Sequence, residues 1–453
     1  LPAPMISFPR PRWRIASARV ISKPVAELLR FCAVGSVDDG KSTLIGRLLN
    51  DTKQLFDDQV EAIAEASRRR GYEGVELAFV TDGLRAEREQ GITIDVAYRY
   101  AATPNRKYVI ADCPGHEQYT RNMATGASTA ELAVVVIDAA RGLREQTKRH
   151  LCIAALMGVR RFVVCVNKMD LVDWSEEIFD SVVEQMKELT DKLGIEDLIA
   201  IPVSALTGEG VVEPVKSANW YRGQNFVEVL ESVQVVGSDL GTGGARLPVQ
   251  WVFRNPDGTR GYAGLLSGGP LRAGNSVVVQ PSGKVTQIVS VYNFDGPLQV
   301  AWPGMSVSVS IDDELDIGRG DMFVSSGDSQ EPGAGVPEPR SELGVMVCWF
   351  SDKPLVAGNR YSIKHTTRRA PCIVTSVQGV LDVNTMEVSD ADEIRANGIG
   401  RVNLTVSVPL AVDSYRDNRA TGSFVIVDPV TNATLGAGMV EGADANASLT
   451  GSS

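Results

Sequence analysis

The sequence predicts an α/β domain followed by two small antiparallel β-barrel domains. Between residues 31 and 236, near-continuous apolar runs alternate with amphipathic segments, as a parallel sheet covered on both faces requires. Beyond residue 245, short alternating strands are broken by Gly and Pro, which is typical of β-barrels. At 453 residues the chain is too long for one compact core, so about three domains are expected.

Changes in composition indicate where the domains begin and end. Two stretches rich in Gly, Pro and Ser, near residues 237–244 and 325–340, read as linkers. The N-terminal segment is rich in Arg and Pro and contains no acidic residue. The predicted parts, in chain order, are a disordered extension (1–26), the α/β domain (27–236), a first barrel (245–325), a second barrel (341–440) and a disordered tail (441–453).

Individual elements follow from the spacing of apolar residues. The clearest helix is expected from Ser175 to Leu193, where apolar residues recur at steps of three and four and Gly194 follows. Four apolar runs predict buried parallel strands: Tyr108–Ala111, Leu132–Ile137, Phe162–Val166 and Leu198–Val203. Barrel strands are expected at Val277–Val279, Val307–Ser310, Val345–Phe350, Val402–Val408 and Ser423–Val427.

Charge and cysteine content narrow the function classes. The net charge of −11 argues against a general nucleic-acid binder, although a local basic groove remains compatible with it. Six cysteines without a C-x-x-C pair favour buried thiols in a reducing cytosol over disulfides or zinc. No apolar run approaches the roughly 20 residues that a membrane span needs. A cytoplasmic protein is therefore expected.

The range Gly35–Thr43 fits the phosphate-loop pattern G-x-x-x-x-G-K-[ST]. The apolar run Phe31–Val34 precedes it and a segment with helical spacing follows, which is the strand–loop–helix context that the pattern requires. Its glycines let backbone amides approach phosphate oxygens at a helix N-terminus. Lys41 is expected to reach the β- and γ-phosphates, and Ser42 to offer its hydroxyl to Mg²⁺.

Two acids inside this loop need an explanation, because they bring negative charge to a polyphosphate site. One expectation is that Asp38 helps to hold a monovalent cation or braces a switch, while Asp39 is solvated. The alternative is that both carboxylates simply face solvent. The sequence leaves the choice open.

Two motifs downstream are those of a nucleotide-dependent switch. Thr93, in Gly91-Ile92-Thr93, is expected to close over the γ-phosphate and add a hydroxyl to Mg²⁺; alone, it would be read as a plain strand residue. In the range Asp112–His116, which follows a predicted strand, Asp112 can hold a Mg²⁺-bound water and Gly115 can offer an amide to the γ-phosphate. His116 is expected to orient the attacking water, and its alternative is a buried structural histidine.

The last two motifs concern the base. In Asn167-Lys168-Met169-Asp170, the carboxylate of Asp170 can accept the ring N–H and the exocyclic amine of guanine, a donor pair that adenine lacks. Asn167 is expected to brace the loop and the stem of Lys168 to pack on the base. In the range Ser204–Leu206, a backbone amide can meet the guanine carbonyl oxygen.

Five motifs occur in this order, each at the C-terminal end of a predicted strand, where open α/β sheets bind ligands. They predict an α/β P-loop GTPase domain with GTP and Mg²⁺ as cofactors. Lys41 and His116 are the predicted catalytic residues, and Ser42, Thr93 and (through water) Asp112 the predicted metal site. The predicted GTP-binding residues are Gly35, Ser36, Val37, Asp38, Asp39, Gly40, Lys41, Ser42, Thr43, Thr93, Asp112, Cys113, Pro114, Gly115, His116, Asn167, Lys168, Met169, Asp170, Ser204, Ala205 and Leu206.

The exact residue sequences of several stretches indicate which class of GTPase this is. The chain resembles the large subunits of bacterial GTP-coupled sulfate adenylyltransferases, within the elongation factor Tu-like superfamily, from roughly Leu29 to Met439. The stretches that carry the resemblance are Gly35–Leu49, Thr81–Asp95, Gly115–Met123, Lys364–Arg368, Leu381–Thr385 and Asn418–Phe424.

This resemblance implies a chemistry that the motifs alone do not. Large subunits of this family hydrolyse GTP, while a separate small subunit joins ATP and sulfate to give adenosine 5′-phosphosulfate and pyrophosphate. The implied partner is that small subunit, in a heterodimer or a higher assembly, without membrane or nucleic acid. The residues between Thr81 and Met123 are the expected coupling surface, because their shape depends on the γ-phosphate.

Two other functions remain open at the level of sequence. A translation-type GTPase could carry aminoacyl-tRNA on its β-domains, and Lys364, His365, Arg368 and Arg369 would form its basic cluster, although a solvated loop explains them equally simply. The negative net charge weighs against this alternative. The third possibility is a nucleotide-dependent switch with no metabolic partner.

Overall fold

The computed structural model describes residues 28–53, 93, 95–195, 197–234, 244–254, 258–325 and 335–442. The predicted N-terminal extension, most of the predicted tail, and the range 81–92 of the expected coupling surface lie outside the described residues. The chain divides into two compact units, Leu1–Val235 and Val236–Ser453.

The first unit is built on one six-stranded sheet in the order β2-β3-β1-β4-β5-β6. All neighbouring strands are parallel except β2, which runs antiparallel to β3 at the edge. The strand bounds are β1 Leu28–Val34, β2 Ala97–Ala102, β3 Lys107–Asp112, β4 Leu132–Asp138, β5 Arg161–Asn167 and β6 Asp197–Pro202. The central strand β4 is buried along its whole length, as its continuous apolar run predicts.

The described helices of this unit are α1 Lys41–Asp51, α2 Thr120–Ser128, α3 Glu145–Leu156, α4 Glu176–Lys192 and α5 Phe226–Ser232. The helix predicted from Ser175 is confirmed as α4. The Ser175 hydroxyl caps it by accepting a hydrogen bond from the N–H of Ile178, and Gly194 follows it with φ 65°. Short 3₁₀ helices lie at Glu117–Tyr119 and Met169–Val172.

The described residues of the second unit form two large antiparallel sheets and a two-stranded sheet of β17 and β21. The first runs in the order β10-β7-β15-β11-β12-β14-β9-β8, with β13 paired to β12. Its bounds are β7 Ala245–Pro248, β8 Trp251–Arg254, β9 Arg260–Leu265, β10 Ser267–Gly268, β11 Ser276–Gln280, β12 Lys284–Asn293, β13 Gly296–Pro297, β14 Ser306–Ile311 and β15 Met322–Val324. Side chains from β7, β9, β11, β12, β14 and β15 share one buried core, so the sheet curls around them.

The second sheet closes on itself. Strands β18, β23, β24, β16, β22 and β19 form a ring of six, because β18 also pairs with β19. The bounds of the strands of this sheet are β16 Pro339–Trp349, β18 Arg360–His365, β19 Arg368–Asp382, β20 Glu387–Ser389, β22 Ile399–Ala411, β23 Ser423–Val427 and β24 Thr434–Val440. The separate two-stranded sheet consists of β17 Leu355–Val356 and β21 Glu393–Ile394. The predicted fold class is confirmed, while the division of the chain into five parts stays a prediction.

Two expectations from composition can be compared with the structure. All six cysteines are buried and none forms a disulfide. Among the helices of the described ranges, none is long and apolar enough to cross a membrane.

A buried ion pair links the two large sheets of the second unit. Arg246 on β7 binds Asp413, which follows β22, through two hydrogen bonds of 3.0 Å. Its guanidinium also donates to the carbonyl oxygens of Gly244, Ser325 and Gly335, so the buried cation is well satisfied. Removing only one of the two side chains would therefore leave a buried charge without its partner, which lowers the stability of the fold.

We expect Asp413→Ala to lower the stability of the second unit by about 3–5 kcal/mol, because it leaves the Arg246 guanidinium buried without its carboxylate. Scanning calorimetry on the full chain measures this loss as a lower melting temperature. Glu393→Ala is the control, since the Arg395–Glu393 pair is exposed and its loss should cost less than about 1 kcal/mol. Equal losses in both variants would contradict the expectation.

Candidate functional site

The phosphate loop joins β1 to α1 as predicted, and both of its glycines are structurally required. Gly35 has φ 148° and Gly40 has φ 94°, in the region that glycine favours. A Cβ on Gly35 would lie 2.4 Å from the carbonyl oxygen of Val136, and one on Gly40 would lie 2.3 Å from Nδ2 of Asn167. The loop therefore packs against β4 and β5 so closely that no side chain fits.

Lys41, the first residue of α1, is buried beneath the loop. Its Nζ donates hydrogen bonds to the carbonyl oxygens of Gly35 at 3.1 Å and Ser36 at 2.7 Å. Burial lowers the pKa of the ammonium group, while the carboxylates of Asp112 and Asp39 act in the opposite direction. The cation is thus held inside the cradle that phosphate oxygens are predicted to enter.

The expectation that Asp39 is solvated is wrong. Its side chain is fully buried, and Oδ2 accepts a hydrogen bond from the N–H of Ser36 at 2.8 Å, so the loop folds around its own acid. Burial raises the pKa of this carboxyl, and Lys41 acts in the opposite direction. Asp38 is exposed, and its carboxylate lies 3.8 Å from Nη1 of Arg141. Its role toward a cation or the switch stays a prediction.

The three side chains predicted to hold Mg²⁺ converge beside α1. Oγ of Ser42 lies 3.4 Å from Oγ1 of Thr93 and 3.4 Å from Oδ2 of Asp112. Asp112 ends β3 and is fully buried, which fixes its carboxylate in place. Hydroxyl and carboxylate oxygens are the hard donors that Mg²⁺ prefers. The donor set fits this ion.

Gly115 brings the end of β3 against the phosphate loop. A Cβ at this position would lie 2.6 Å from Nζ of Lys41 and 2.9 Å from the backbone nitrogen of Val37. Cys113 and Pro114, which precede it, are buried. Only glycine allows the backbone to come this close to the cradle, which is the approach predicted for an amide that senses the γ-phosphate.

His116 is exposed, so the alternative of a buried structural histidine does not apply. Its Nδ1 accepts a hydrogen bond from the N–H of Gln118 at 3.3 Å, at the start of the short helix Glu117–Tyr119. Nδ1 is therefore used within the local turn. Nε2 is the ring nitrogen that this contact leaves for orienting a water molecule.

Asn167 joins the two sides of the site. Its Nδ2 donates to the carbonyl oxygen of Asp39 at 2.8 Å, and its Oδ1 accepts from the N–H of Ala205 at 2.9 Å. The side chain is buried, and Ser204 beside its second contact is buried as well. One carboxamide thus braces the phosphate loop against the loop that follows β6, as predicted for this position.

Asp170, the residue expected to read the base, lies in the short helix Met169–Val172 just after β5. Its Oδ1 is buried and accepts no hydrogen bond within the described part of the chain. A buried acceptor without a donor costs about 1–3 kcal/mol. The ring N–H and exocyclic amine of guanine are donors that remove this cost, so the site fits the predicted base.

Helix α3 supports the phosphate loop from behind, which the sequence analysis did not foresee. The Nδ1 atom of His150 accepts a hydrogen bond from the N–H of Gly35 at 3.4 Å, and Thr147 Oγ1 lies 2.9 Å from Oγ of Ser36. Burial lowers the pKa of His150 to about 3, and the charge of Lys41 adds to this effect. Its imidazole is neutral and can accept. His150 and Thr147 lie more than 100 residues from the phosphate loop in the sequence. The only local sign of this contact in the sequence was the presence of two polar residues on a buried face of α3.

Two further ionic contacts on the base side were also missed. Arg47 donates from Nε to the carbonyl oxygen of Ala205 at 3.1 Å and from Nη2 to that of Leu206. Lys168 donates to Oδ2 of Asp138 at 2.8 Å. Burial acts to raise the pKa of Asp138, but Lys168, the N–H of Ala140 and the charge of Arg141 together outweigh it and lower the pKa. These contacts orient the loops around the base.

The basic cluster at 364–369 is divided between buried and exposed residues. His365 is buried, and its Nε2 lies 2.7 Å from the carbonyl oxygen of Thr421. Arg368 pairs with the carboxylate of Asp321 at 2.5 Å. Lys364 and Arg369 lie opposite each other on β18 and β19 and are exposed. Half of the cluster on which an aminoacyl-tRNA carrier would depend is therefore used within the fold.

Comparison with protein families agrees with this fold and site. Residues 26–236 match the model of the elongation factor Tu GTP binding domain, and residues 342–441 match the GTP-eEF1A C-terminal domain-like model. The protein is therefore a GTPase of the elongation-factor class.

Individual relatives define the family within this class. Sulfate adenylyltransferase subunit 1 of Laribacter hongkongensis is 46% identical over 425 residues, which cover 93% of this chain and 87% of that protein. The same subunit of Aeromonas hydrophila is 45% identical, covering 91% and 86%. The bifunctional enzyme CysN/CysC of Mycobacterium tuberculosis is 46% identical, covering 91% and 67%. The chain belongs to the sulfate adenylyltransferase subunit 1 family.

We expect Asp170→Asn to weaken GTP binding roughly hundredfold and to make xanthosine triphosphate the preferred nucleotide. The amide replaces one acceptor by a donor, which opposes the amine of guanine and suits the carbonyl of xanthine. Competition with a fluorescent nucleotide measures both dissociation constants. Asp173→Asn, the same change at an exposed position three residues on, is the control. Retained GTP preference in the first variant would remove Asp170 from base recognition.

Proposed function

We propose that this chain is the GTP-hydrolysing subunit of a sulfate adenylyltransferase. It couples GTP hydrolysis to the formation of adenosine 5′-phosphosulfate and pyrophosphate from ATP and sulfate. The observation that carries the proposal is that the likeness to subunit 1 relatives spans 93% of the chain. Within that span, the chain keeps a complete set of nucleotide motifs.

The residues of the first unit support a hydrolytic role. Lys41 is held by loop carbonyls within the cradle and stabilises charge on the β- and γ-phosphates once they replace those carbonyls. His116 orients the attacking water through the ring nitrogen that its local turn leaves unused. Phosphoryl transfer depends mainly on such positioning and charge stabilisation, with little covalent participation by the protein.

Ser42, Thr93 and Asp112 are proposed to hold Mg²⁺, with Asp112 acting through a bound water. When bound, the ion neutralises charge on the nucleotide phosphates. Oγ of Ser42 already lies 3.4 Å from an oxygen of Thr93 and 3.4 Å from an oxygen of Asp112, so little rearrangement is needed to form this donor set.

A separate adenylyltransferase subunit that binds ATP and sulfate is the proposed partner. The name of the relatives, subunit 1, supports the existence of a second chain. Sulfate activation forms a mixed anhydride and is strongly uphill, so a coupled hydrolysis supplies its driving force. The six free cysteines support a reducing compartment such as the cytoplasm.

The function is tested by sulfate-dependent pyrophosphate release from ATP, measured on the chain together with its partner subunit. We expect release to require sulfate and to rise when GTP is added, because hydrolysis drives the uphill step. A GTP analogue that cannot be hydrolysed is the control and should not sustain the increase. Absence of any sulfate dependence would refute the proposal, and salt-sensitive binding of aminoacyl-tRNA would favour a translation role instead.

His116→Ala should leave the GTP dissociation constant unchanged and slow hydrolysis by about 10²-fold, because the attacking water is then no longer held in position. Single-turnover hydrolysis measures the rate, and nucleotide titration measures binding. Gln118→Ala is the matched control, since it is also exposed and lies in the same turn. An unaltered rate in the His116 variant would remove this residue from the mechanism.

A further inference from the structure

A groove of about 760 Å³ crosses the outer face of the first sheet of the second unit. The strand register places four side chains in one row across β8, β9, β14 and β12: Trp251 opposite Ala263, Ala263 opposite Ser308, and Ser308 opposite Tyr292. Directly opposed residues of antiparallel strands point to the same face. The row therefore has an aromatic wall at each end and a floor of small residues between them.

The aromatic walls project into solvent. Trp251 is 67% exposed, and its ring centroid lies 5.8 Å from that of Phe253. On the other side Phe294 is fully exposed, next to Tyr292, which is 42% exposed. Four of the thirteen exposed large apolar side chains in the described part of the chain line this groove: Trp251, Leu265, Tyr292 and Phe294. Such a concentration marks a binding surface in soluble proteins.

The lining of the groove indicates the chemistry of its occupant. Every described residue that lines it is uncharged, on a chain whose net charge is −11. A phosphate-bearing ligand or a nucleic acid needs cationic side chains, which this lining lacks. An uncharged occupant with large apolar groups fits between the aromatic walls.

Two hydroxyl groups of the lining need hydrogen-bond partners. Ser267 is 7% exposed, and its Oγ is buried with no partner among the described residues; the same holds for Oγ1 of Thr367, from the turn between β18 and β19. Peptide N–H and C=O groups supply such partners at regular intervals along an extended chain. Strand β8 also has only β9 as a described neighbour, which leaves an edge that an extended segment can join.

We propose that this groove, defined by Trp251, Phe253, Leu265, Tyr292 and Phe294, seats an extended, uncharged segment of the partner adenylyltransferase subunit. Large apolar side chains of that segment fill the space between the aromatic walls, and its backbone binds the buried hydroxyls. The inference rests on the proposed function, which requires a stable complex with a second chain. It places part of that contact on the second unit, away from the nucleotide motifs in sequence.

The test measures binding of the purified partner subunit to the full chain by isothermal titration calorimetry. We expect Trp251→Ser and Phe294→Ser each to weaken binding at least about thirtyfold, as central aromatic anchors do. Trp302→Ser is the matched control, because Trp302 is 53% exposed in the loop between β13 and β14 but does not line the groove. This variant should bind as the unaltered chain does. Unchanged GTP affinity and circular dichroism establish that each variant is folded.

The outcomes separate this inference from the function on which it rests. If the groove variants bind the partner normally while sulfate-dependent pyrophosphate release is intact, the groove assignment is wrong and the proposed function stands. If the unaltered chain neither binds the partner nor supports that release, the proposed function fails and this inference with it. Two further results would overturn the groove assignment: self-association of the chain that the groove variants abolish, or displacement of the partner by aminoacyl-tRNA.

Discussion

The nucleotide site depends on the side chain of Asn167. Its carboxamide lies between the carbonyl oxygen of Asp39 and the N–H of Ala205, so it sets the distance between the loop predicted to meet phosphate and the loop predicted to meet the base. The same contact explains why Gly40 must be glycine, since any Cβ there would collide with Nδ2. The two loops follow β1 and β6, and Asn167 ends β5; the carboxyl ends of these parallel strands lie at a common edge of the sheet.

Around this brace, several buried polar groups are hydrogen-bonded to neighbours within the site. Asp39 accepts from the loop backbone, His150 accepts from Gly35 as a neutral ring, and Lys41 donates to the loop carbonyls. Burial of a charge is costly unless it is hydrogen-bonded, so the loop holds its lysine by the same carbonyls that shape the cradle. Within the described residues, Oδ1 of Asp170 is buried and accepts no hydrogen bond, and the same is true of Oδ1 of Asp39. A bound donor would remove the cost of leaving such an oxygen unpaired.

The two units offer different kinds of binding surface. The first concentrates charge and backbone amides at one sheet edge, which suits a phosphorylated ligand. The second presents an uncharged groove with aromatic walls. A GTPase that controls a second chain needs both kinds, one to sense the nucleotide and one to hold the partner.

The sequence by itself determined the fold class, the order of the five nucleotide motifs and the helix from Ser175, because periodicity, glycine placement and capping are local properties. Tertiary structure alone decided that Asp39 is buried, that His150 lies behind Gly35, and that Trp251 and Tyr292 share one row. These features depend on contacts between distant parts of the chain and on strand register, which packing sets. The residue types of a loop predict what the loop is suited to bind. The contacts of that loop with the rest of the fold determine which of its side chains remain available to bind a ligand.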